Sequence, residues 1–295
     1  MAEPVEKGSV PLLFAFVGPT ATGKSAAAIK LSLEIGGEVV ACDSTAVYRG
    51  IDIGTDKVPI DEQRGVPHHL VDMVGPTETY SAARYAADAS AAIKDIHARG
   101  NVPILAGGTG FYYRALVRGL FPGPERDVAL RARLDRVAAR RGVTALHRWL
   151  GRVDPQSAER IQPRDQKRLV RALEVYLLTG RPLTAHFAET ASPLAGWEIR
   201  AIGLNAPREV LRARVSARVD QQFARGVVDE VRTLMSAGVP KTAHAFSGLV
   251  YRQIIEMLDG VRGEADTRAL IVQENMRYAR RQLTWFRHEP DIHWQ

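Results

Sequence analysis

The feature that most constrains this chain is the segment GPTATGKS at residues 18–25, which matches the phosphate-loop pattern GxxxxGK[ST] at every defined position. An apolar run rich in β-forming residues, Val10–Val17, precedes it, and a stretch with helical spacing, Lys24–Ile35, follows it. A strand that turns through glycines into a helix presents backbone N–H groups and the positive end of the helix to an anion. The segment therefore predicts an α/β fold that binds a diphosphate or polyphosphate.

Two further short runs, residues 38–42 and 102–106, read as buried strands, and residues 197–204 read as a return of the chain to the sheet. Asp43 follows the first of these runs, and Thr109 lies in the GGTG segment after the second. Ligands of doubly wound sheets bind beyond the carboxyl ends of the strands. We therefore interpret Asp43 as a general base or magnesium partner and Thr109 as a hydroxyl facing the same crevice. The alternative for Asp43 is a structural role in capping a turn, and the alternative for Thr109 is a helix N-cap.

The charge of the chain is concentrated in its central part. The net charge is +7, and residues 114–171 carry 15 basic and 6 acidic residues, against 25 and 27 in the rest of the chain. Nearly all of the excess is arginine, whose planar guanidinium matches phosphate, so the stretch indicates a polyanionic partner; a solvated helical surface is the alternative. Helical spacing and a proline- and glycine-rich hinge predict a helical insertion at residues 120–195, between core segments 1–119 and 196–295.

A long helix is predicted near the end of the chain, at about residues 266–287. Its segment RYARRQLTWFR at residues 277–287 combines arginines with aromatic residues, a mixture that suits RNA, although an amphipathic helix packed on the core is equally compatible. Cys42 is the only cysteine, which excludes an intramolecular disulfide and fits a cytosolic protein. His68 and His69 are expected to make hydrogen bonds rather than to bind a metal.

The segments GPTATGKS, CDSTAVYRGIDIGT, GGTGFYYRAL, DQKRLVRALEVY, VYRQ and RRQLTWFR occur in the order typical of the tRNA dimethylallyltransferases, also called tRNA isopentenyl transferases. The sequence resembles that family from about residue 11 to residue 288. The resemblance implies transfer of a dimethylallyl group from dimethylallyl diphosphate to the exocyclic amine of the adenosine 3′ of the anticodon, in tRNAs that read codons beginning with U. It also implies a P-loop sheet with an inserted helical tRNA-binding domain, Mg²⁺ as cofactor, the tRNA anticodon stem-loop as partner, no membrane, and a cytoplasmic monomer.

The same resemblance assigns roles to individual residues. It implies that Asp43 is the general base, that Thr109 contacts the reacting region and that Ser25 meets the metal. The residues implied to bind the diphosphate are Gly18, Thr20, Ala21, Thr22, Gly23, Lys24 and Ser25. The residues implied to contact tRNA are Ser44, Thr45, Ala46, Arg131, Lys167, Arg168, Leu169, Val170, Arg171, Tyr251, Arg252, Arg280, Arg281, Gln282, Thr284, Trp285 and Arg287.

Two positions depart from the family pattern. Ala46 stands where a glutamine often follows the DS segment, and Val250 stands where a glycine usually precedes the Tyr-Arg pair. Three other functions remain open from the sequence. The first is an adenylate dimethylallyltransferase acting on free AMP, ADP or ATP, which would not need the arginine-rich insertion. The others are a P-loop kinase acting on a small molecule and a non-catalytic RNA-binding protein.

Overall fold

The structure, a computed structural model, describes residues 10–295. These residues form two compact units, one made of residues 10–117 and 193–295 and the other of Arg118–Ser192. We refer to them as the α/β unit and the helical unit. The sequence predicts a helical insertion at residues 120–195, and the binding of tRNA by this insertion stays a prediction.

The α/β unit is built on one six-stranded sheet whose strands are all parallel and lie in the order β3-β2-β4-β1-β5-β6. The strands are β1 Leu12–Val17, β2 Gly37–Cys42, β3 His68–His69, β4 Val102–Gly107, β5 Glu198–Gly203 and β6 Ile292–Trp294. The predicted α/β class with a parallel sheet is confirmed. The sequence analysis missed β3 and β6, which at two and three residues are too short to show a periodic pattern.

Helices follow the strands and fill the helical unit. They are α1 Lys24–Ile35, α2 Ala82–Ala98, α3 Gly110–Val117, α4 Val128–Arg141, α5 Val143–Val153, α6 Pro155–Arg160, α7 Gln166–Thr179, α8 Leu183–Phe187, α9 Arg208–Ala224, α10 Val227–Ser236, α11 Tyr251–Leu258 and α12 Glu264–Arg287. The helices predicted at residues 24–35 and at about 266–287 correspond to α1 and α12. No helix within residues 10–295 is both long enough and apolar enough to cross a bilayer.

Both faces of the sheet are covered, as a doubly wound fold requires. On one face Ile104 packs with Ile29 of α1, and on the other Leu105 belongs to a cluster with Tyr85 and Ile93 of α2. Neighbouring residues of a strand point to opposite faces, and since helices cover both faces, the side chains of Ile104 and Leu105 are both buried. The central strands β2, β4 and β1 are adjacent, so their carboxyl ends lie side by side.

The helical unit has a hydrophobic core of its own. Leu146, Leu150, Leu169 and Leu173 are completely buried there, on helices α5 and α7. Three of its helices begin at an aspartate whose carboxylate accepts a backbone N–H of the first turn, which satisfies a donor that the helix leaves unpaired. These cap residues are Asp127, Asp154 and Asp165.

Candidate active site

The phosphate loop connects β1 to α1 and has the backbone conformation that an anion cradle needs. Gly18 and Gly23 have φ angles of 128° and 88°, which side-chain-bearing residues rarely adopt. A Cβ on Gly18 would lie 2.4 Å from the carbonyl oxygen of Leu204. The glycines of the motif are therefore required by the path of the chain, and α1 begins directly at Lys24 with its N-terminus at the loop.

Lys24 is held inside the loop, where its ammonium group donates to the carbonyl oxygen of Pro19. Burial, assisted by the positive charge of Arg218 and opposed by Asp43, lowers the pKa of Lys24 to about 8. A bound anion would favour the protonated form and reverse this shift. The site is thus electrostatically prepared for a diphosphate.

Asp43 lies immediately after β2 and uses one carboxylate oxygen to shape its own turn. Its Oδ1 accepts hydrogen bonds from the backbone N–H of Thr45 at 2.8 Å, the Thr45 hydroxyl at 2.6 Å and the N–H of Ala46 at 3.3 Å. Its Oδ2 accepts no hydrogen bond from any residue within 10–295. One oxygen therefore fixes the side chain, and the other is left to act on a ligand.

Thr109 is tied to the same strand end. Its hydroxyl oxygen accepts the N–H of Ser44 at 3.0 Å, and its own N–H donates to the carbonyl oxygen of Cys42 at 3.1 Å. The ends of β2 and β4 approach so closely that a Cβ on Gly107 would lie 2.1 Å from the Cys42 carbonyl oxygen. The structure thus places the Thr109 hydroxyl against the backbone of Ser44, next to Asp43 at the end of β2, and its contact with a ligand stays a prediction.

Two cavities of the α/β unit meet at Asp43. The first, of about 420 Å³, is lined by the exposed side chains of Arg252 and Arg281, and we call it the arginine-side cavity. The second, of about 520 Å³, is lined by Lys24 and Ser25, and we call it the phosphate-side cavity. The residues that line both are Thr20, Asp43, Thr55, Asp56, Arg218 and Tyr278.

The sequence analysis missed Arg218, and it included Tyr278 only as an aromatic residue of the segment at residues 277–287. Arg218 of α9 donates to the hydroxyl oxygen of Thr20 at 2.9 Å and pairs with Asp56 at the same distance. Burial and the nearby Asp43 carboxylate raise the pKa of Tyr278 to about 12, so its hydroxyl keeps its proton at neutral pH. Arg218 belongs to no local motif, and only the fold brings the two residues to partners far away in the sequence. The basic-aromatic segment at residues 277–287 was the one available signal for Tyr278.

The residues implied to contact tRNA fall into distinct environments. Exposed side chains belong to Lys167, Arg168, Arg252, Arg280, Arg281, Thr284 and Arg287. Partly buried side chains belong to Ser44, Thr45, Arg131, Arg171 and Trp285. Buried side chains belong to Ala46, Leu169, Val170, Tyr251 and Gln282.

In the helical unit the implied tRNA contacts therefore divide. Leu169 and Val170 lie in the hydrophobic core. Arg131 makes two hydrogen bonds of 2.8 Å to the completely buried carboxylate of Glu174, and Arg171 donates to the same carboxylate at 2.7 Å. Although burial alone would raise it, these hydrogen bonds lower the pKa of Glu174 to about 2. These two arginines thus neutralise an internal charge, whereas Lys167 and Arg168 remain exposed.

Tyr251 has a role in shaping a cavity wall. Its hydroxyl donates to Glu230 at 2.6 Å and accepts the N–H of Gly54 at 3.0 Å. Glu230 also accepts the N–H groups of Asp52 and Ile53 at 3.0 and 2.8 Å. The two side chains together hold the segment that leads to Thr55 and Asp56 in the shared cavity wall.

The two departures from the family pattern also have structural settings. Ala46 is buried and lines the phosphate-side cavity. Val250 is buried, lines the arginine-side cavity and has φ 81° and ψ −61°, a strained γ-turn conformation that is uncommon for a β-branched residue. The usual family glycine would adopt it without that strain.

The oxygen donors near the phosphate loop suit a hard cation. The Ser25 hydroxyl stands exposed in the first turn of α1, and the carboxylates of Asp43 and Asp56 line the same phosphate-side cavity. Residues 10–295 contain no cluster of three His, Cys, Asp or Glu side chains that would form a protein-only metal site. This donor set fits Mg²⁺ bound jointly by protein, water and a diphosphate.

The two adjacent histidines of β3 make the expected hydrogen bonds. His69 lies 2.6 Å from Glu38, and His68 lies 2.9 Å from the carbonyl oxygen of Val66.

Comparison with known proteins identifies the relatives of this chain. The model of the IPP transferase family matches residues 46–289. The tRNA dimethylallyltransferase of Thermomicrobium roseum is 48% identical over 95% of this chain and 84% of its own length, and that of Koribacter versatilis is 44% identical over 97% and 93%.

Solved structures agree with these relatives. The tRNA isopentenylpyrophosphate transferase of Bacillus halodurans is 37% identical with a TM-score of 0.71, over 96% of this chain and 89% of that one. A eukaryotic dimethylallyltransferase acting on tRNA is 27% identical with a TM-score of 0.79, over 94% and 70%. This chain therefore belongs to the IPP transferase family.

Proposed function

We propose that this enzyme transfers the dimethylallyl group of dimethylallyl diphosphate to the exocyclic amine of the adenosine 3′ of the anticodon, in tRNAs that read codons beginning with U. The observation that carries the proposal is the position of Asp43 between two cavities. One of them contains the anion-binding loop, and the other is lined by exposed arginines. A diphosphate and a nucleobase entering from the two sides would meet at this carboxylate.

The diphosphate is the leaving group and is held by the phosphate loop. The N–H groups of residues 21–25, the ammonium of Lys24 and the guanidinium of Arg218 neutralise the charge that develops as the carbon–oxygen bond breaks. A Mg²⁺ ion bound to the diphosphate and the Ser25 hydroxyl would add further positive charge. The electron pair of the broken bond leaves with the pyrophosphate.

The adenine amine is the nucleophile and needs a proton acceptor. As the new nitrogen–carbon bond forms, one amine proton passes to the free Oδ2 of Asp43, while Oδ1 keeps the carboxylate oriented through Thr45 and Ala46. To the Thr109 hydroxyl, which accepts the N–H of the neighbouring Ser44, we assign a contact with the reacting region. The adenosine must leave the stack of the anticodon loop to reach this position.

Exposed basic residues supply the tRNA-binding surface of this proposal. In the α/β unit these are Arg252, Arg280, Arg281 and Arg287, and in the helical unit they are Lys167 and Arg168. Contacts of this kind attract the phosphate backbone but read little sequence. We also propose that the enzyme acts as a monomer in the cytoplasm, with its sole cysteine buried in the reduced state.

The proposal is tested by incubating the enzyme with unmodified tRNA, dimethylallyl diphosphate and Mg²⁺, and then digesting the RNA for nucleoside mass analysis. We expect prenylated adenosine at the position 3′ of the anticodon and its loss when EDTA is added. A parallel reaction contains free AMP in place of tRNA. Product on AMP but not on tRNA would assign the chain to the adenylate dimethylallyltransferases, and product on neither would overturn the proposal.

A further inference from the structure

Gln282 of α12 connects two loops of the active site. Its side-chain oxygen accepts the backbone N–H of Thr20 in the phosphate loop at 2.8 Å. Its side-chain nitrogen donates to the carbonyl oxygen of Gly108, in the loop after β4, at 2.9 Å. The residue is 6% exposed and lines the phosphate-side cavity. Its primary amide satisfies one backbone donor and one backbone acceptor on loops that follow different strands.

The Gln282 side chain packs tightly against the loop that contains Gly108. A Cβ on Gly108 would lie 2.2 Å from the side-chain nitrogen of Gln282, so the glycine permits the close approach. The orientation of the amide follows from its partners, because the Thr20 N–H can only donate and the Gly108 carbonyl can only accept. An apolar side chain of the same length would leave both backbone groups unpaired in a poorly solvated site, which is unfavourable.

The neighbours of Gln282 on α12 point to a different environment. Arg280 and Arg281 are exposed, whereas Gln282 is buried. Successive residues of a helix face different directions, so a single turn can present arginines outward and the amide inward. The family resemblance implied an RNA contact for Gln282 through the segment RRQLTWFR, and its burial removes it from that surface.

We propose that Gln282 is a positioning residue that sets the phosphate loop relative to the Gly108–Thr109 segment, and that it does not contact RNA. This inference rests on the proposed function and deepens it. The phosphate loop holds the leaving group, and the Thr109 segment borders Asp43. The Gln282 side chain therefore fixes the distance between the departing diphosphate and the general base, Asp43. Removing it is expected to weaken diphosphate binding and slow transfer while tRNA affinity is retained.

The test compares two ligands on matched variants of the full chain. Gln282→Met removes both hydrogen bonds at nearly constant length, and Gln282→Asn keeps the amide but is one methylene too short to reach both loops. Gln273→Met, at an exposed position of α12, controls for substitution in this helix, and Arg280→Ala tests the outward-facing side. Binding of inorganic pyrophosphate with Mg²⁺ and binding of unmodified tRNA are measured separately, followed by kcat and the KM for each substrate.

For both Gln282 variants we expect a rise of about tenfold or more in the Kd for pyrophosphate, a lower kcat and a tRNA Kd within about twofold of the wild type. For Arg280→Ala we expect a raised Kd for tRNA and an unchanged Kd for pyrophosphate. A raised tRNA Kd with normal pyrophosphate binding would overturn the inference, as would wild-type behaviour of Gln282→Asn. Equal losses for both ligands would also overturn it, since they indicate general damage to the fold. Wild-type enzyme that binds pyrophosphate but prenylates no tRNA would instead refute the proposed function.

Discussion

The α/β unit and the helical unit use their charged residues differently. In the α/β unit the groups around the phosphate loop follow from the backbone path, since a strand end, a glycine turn and a helix start place them together. In the helical unit the basic residues of one stretch serve two purposes. Arg131 and Arg171 neutralise the buried Glu174, whereas Lys167 and Arg168 remain exposed. A backbone motif thus predicts function directly, but a charge pattern does so only after side-chain packing is known.

Lys24 offers the test of the anion site in the α/β unit. Because Lys24→Met removes a charge that acts on the leaving group, transfer should slow by roughly 10²–10³-fold. In the wild type the free enzyme favours neutral Lys24 above pH 8, whereas bound pyrophosphate favours the charged form. Affinity for pyrophosphate should therefore fall by up to about tenfold per pH unit above pH 8, and change little through Lys24 below it. Calorimetry at several pH values measures both the affinity and the protons taken up.

Lys24→Met is also the control for the ionisation of pyrophosphate, which contributes equally to both proteins. Only the wild type should show the additional proton uptake above pH 8. Identical pH profiles for the two proteins would remove Lys24 from the anion site.

In the helical unit the corresponding test is Glu174→Gln. The substitution leaves Arg131 and Arg171 without their buried counter-charge and should lower the free energy of unfolding by about 3 kcal/mol. Because the pKa of Glu174 is lowered, its stabilisation should be complete above pH 4.5 and be lost as the pH falls towards 2. Denaturant unfolding at pH 7 and at low pH measures this contribution.

The exposed Glu159 offers a matched control, and Glu159→Gln should change stability by less than about 0.5 kcal/mol. Equal effects at the two positions would mean that Arg131 and Arg171 are available to another partner. The division of the arginines into internal and external groups would then be wrong.

The difference between the two units also explains what the sequence could predict. The strand, loop and helix around GPTATGKS lie within a short range of the chain, so their order alone placed the anion site. Arg218 and the bridging role of Gln282 depend on contacts between distant segments, to which no local pattern corresponds. Tyr278 lies in the basic-aromatic segment, but its position near Asp43 depends on such contacts as well. The family resemblance implied RNA contacts for the whole segment Lys167–Arg171, including Leu169 and Val170, although the apolar side chains of these two residues pack into the core.

Reversing the exposed charges tests the outward-facing part of the helical unit. The double variant Lys167→Glu, Arg168→Glu should weaken tRNA binding by about tenfold and reduce the slope of log K against log salt by about 2, because phosphate contacts release counterions. Pyrophosphate binding should not change. Filter binding across a salt series measures the slope.

The double variant Lys30→Glu, Lys94→Glu, on exposed positions of the α/β unit, makes the same change in net charge. It should leave the slope nearly unchanged. A similar loss in both double variants would indicate a general charge effect instead of contacts at α7.

The smallest expected effect concerns the strained backbone at Val250. Glycine adopts a positive φ without strain, so Val250→Gly should be more stable than Val250→Ala by about 1 kcal/mol, the reverse of the usual order in helices and strands. Thermal unfolding of the two variants measures the difference. If Val250→Ala is the more stable, the backbone at this position relaxes and the strain is not retained in solution.

The most direct test of the central claim is single-turnover prenyl transfer by Asp43→Asn at saturating tRNA and dimethylallyl diphosphate. Asparagine retains the oxygen that accepts from Thr45 and Ala46 but does not take a proton from the amine. We predict a rate lower by roughly 10²–10⁴-fold, with the Kd values for tRNA and pyrophosphate within about threefold of the wild type. A near-normal rate, or a loss of rate matched by a loss of binding, would contradict the assignment of Asp43 as the base.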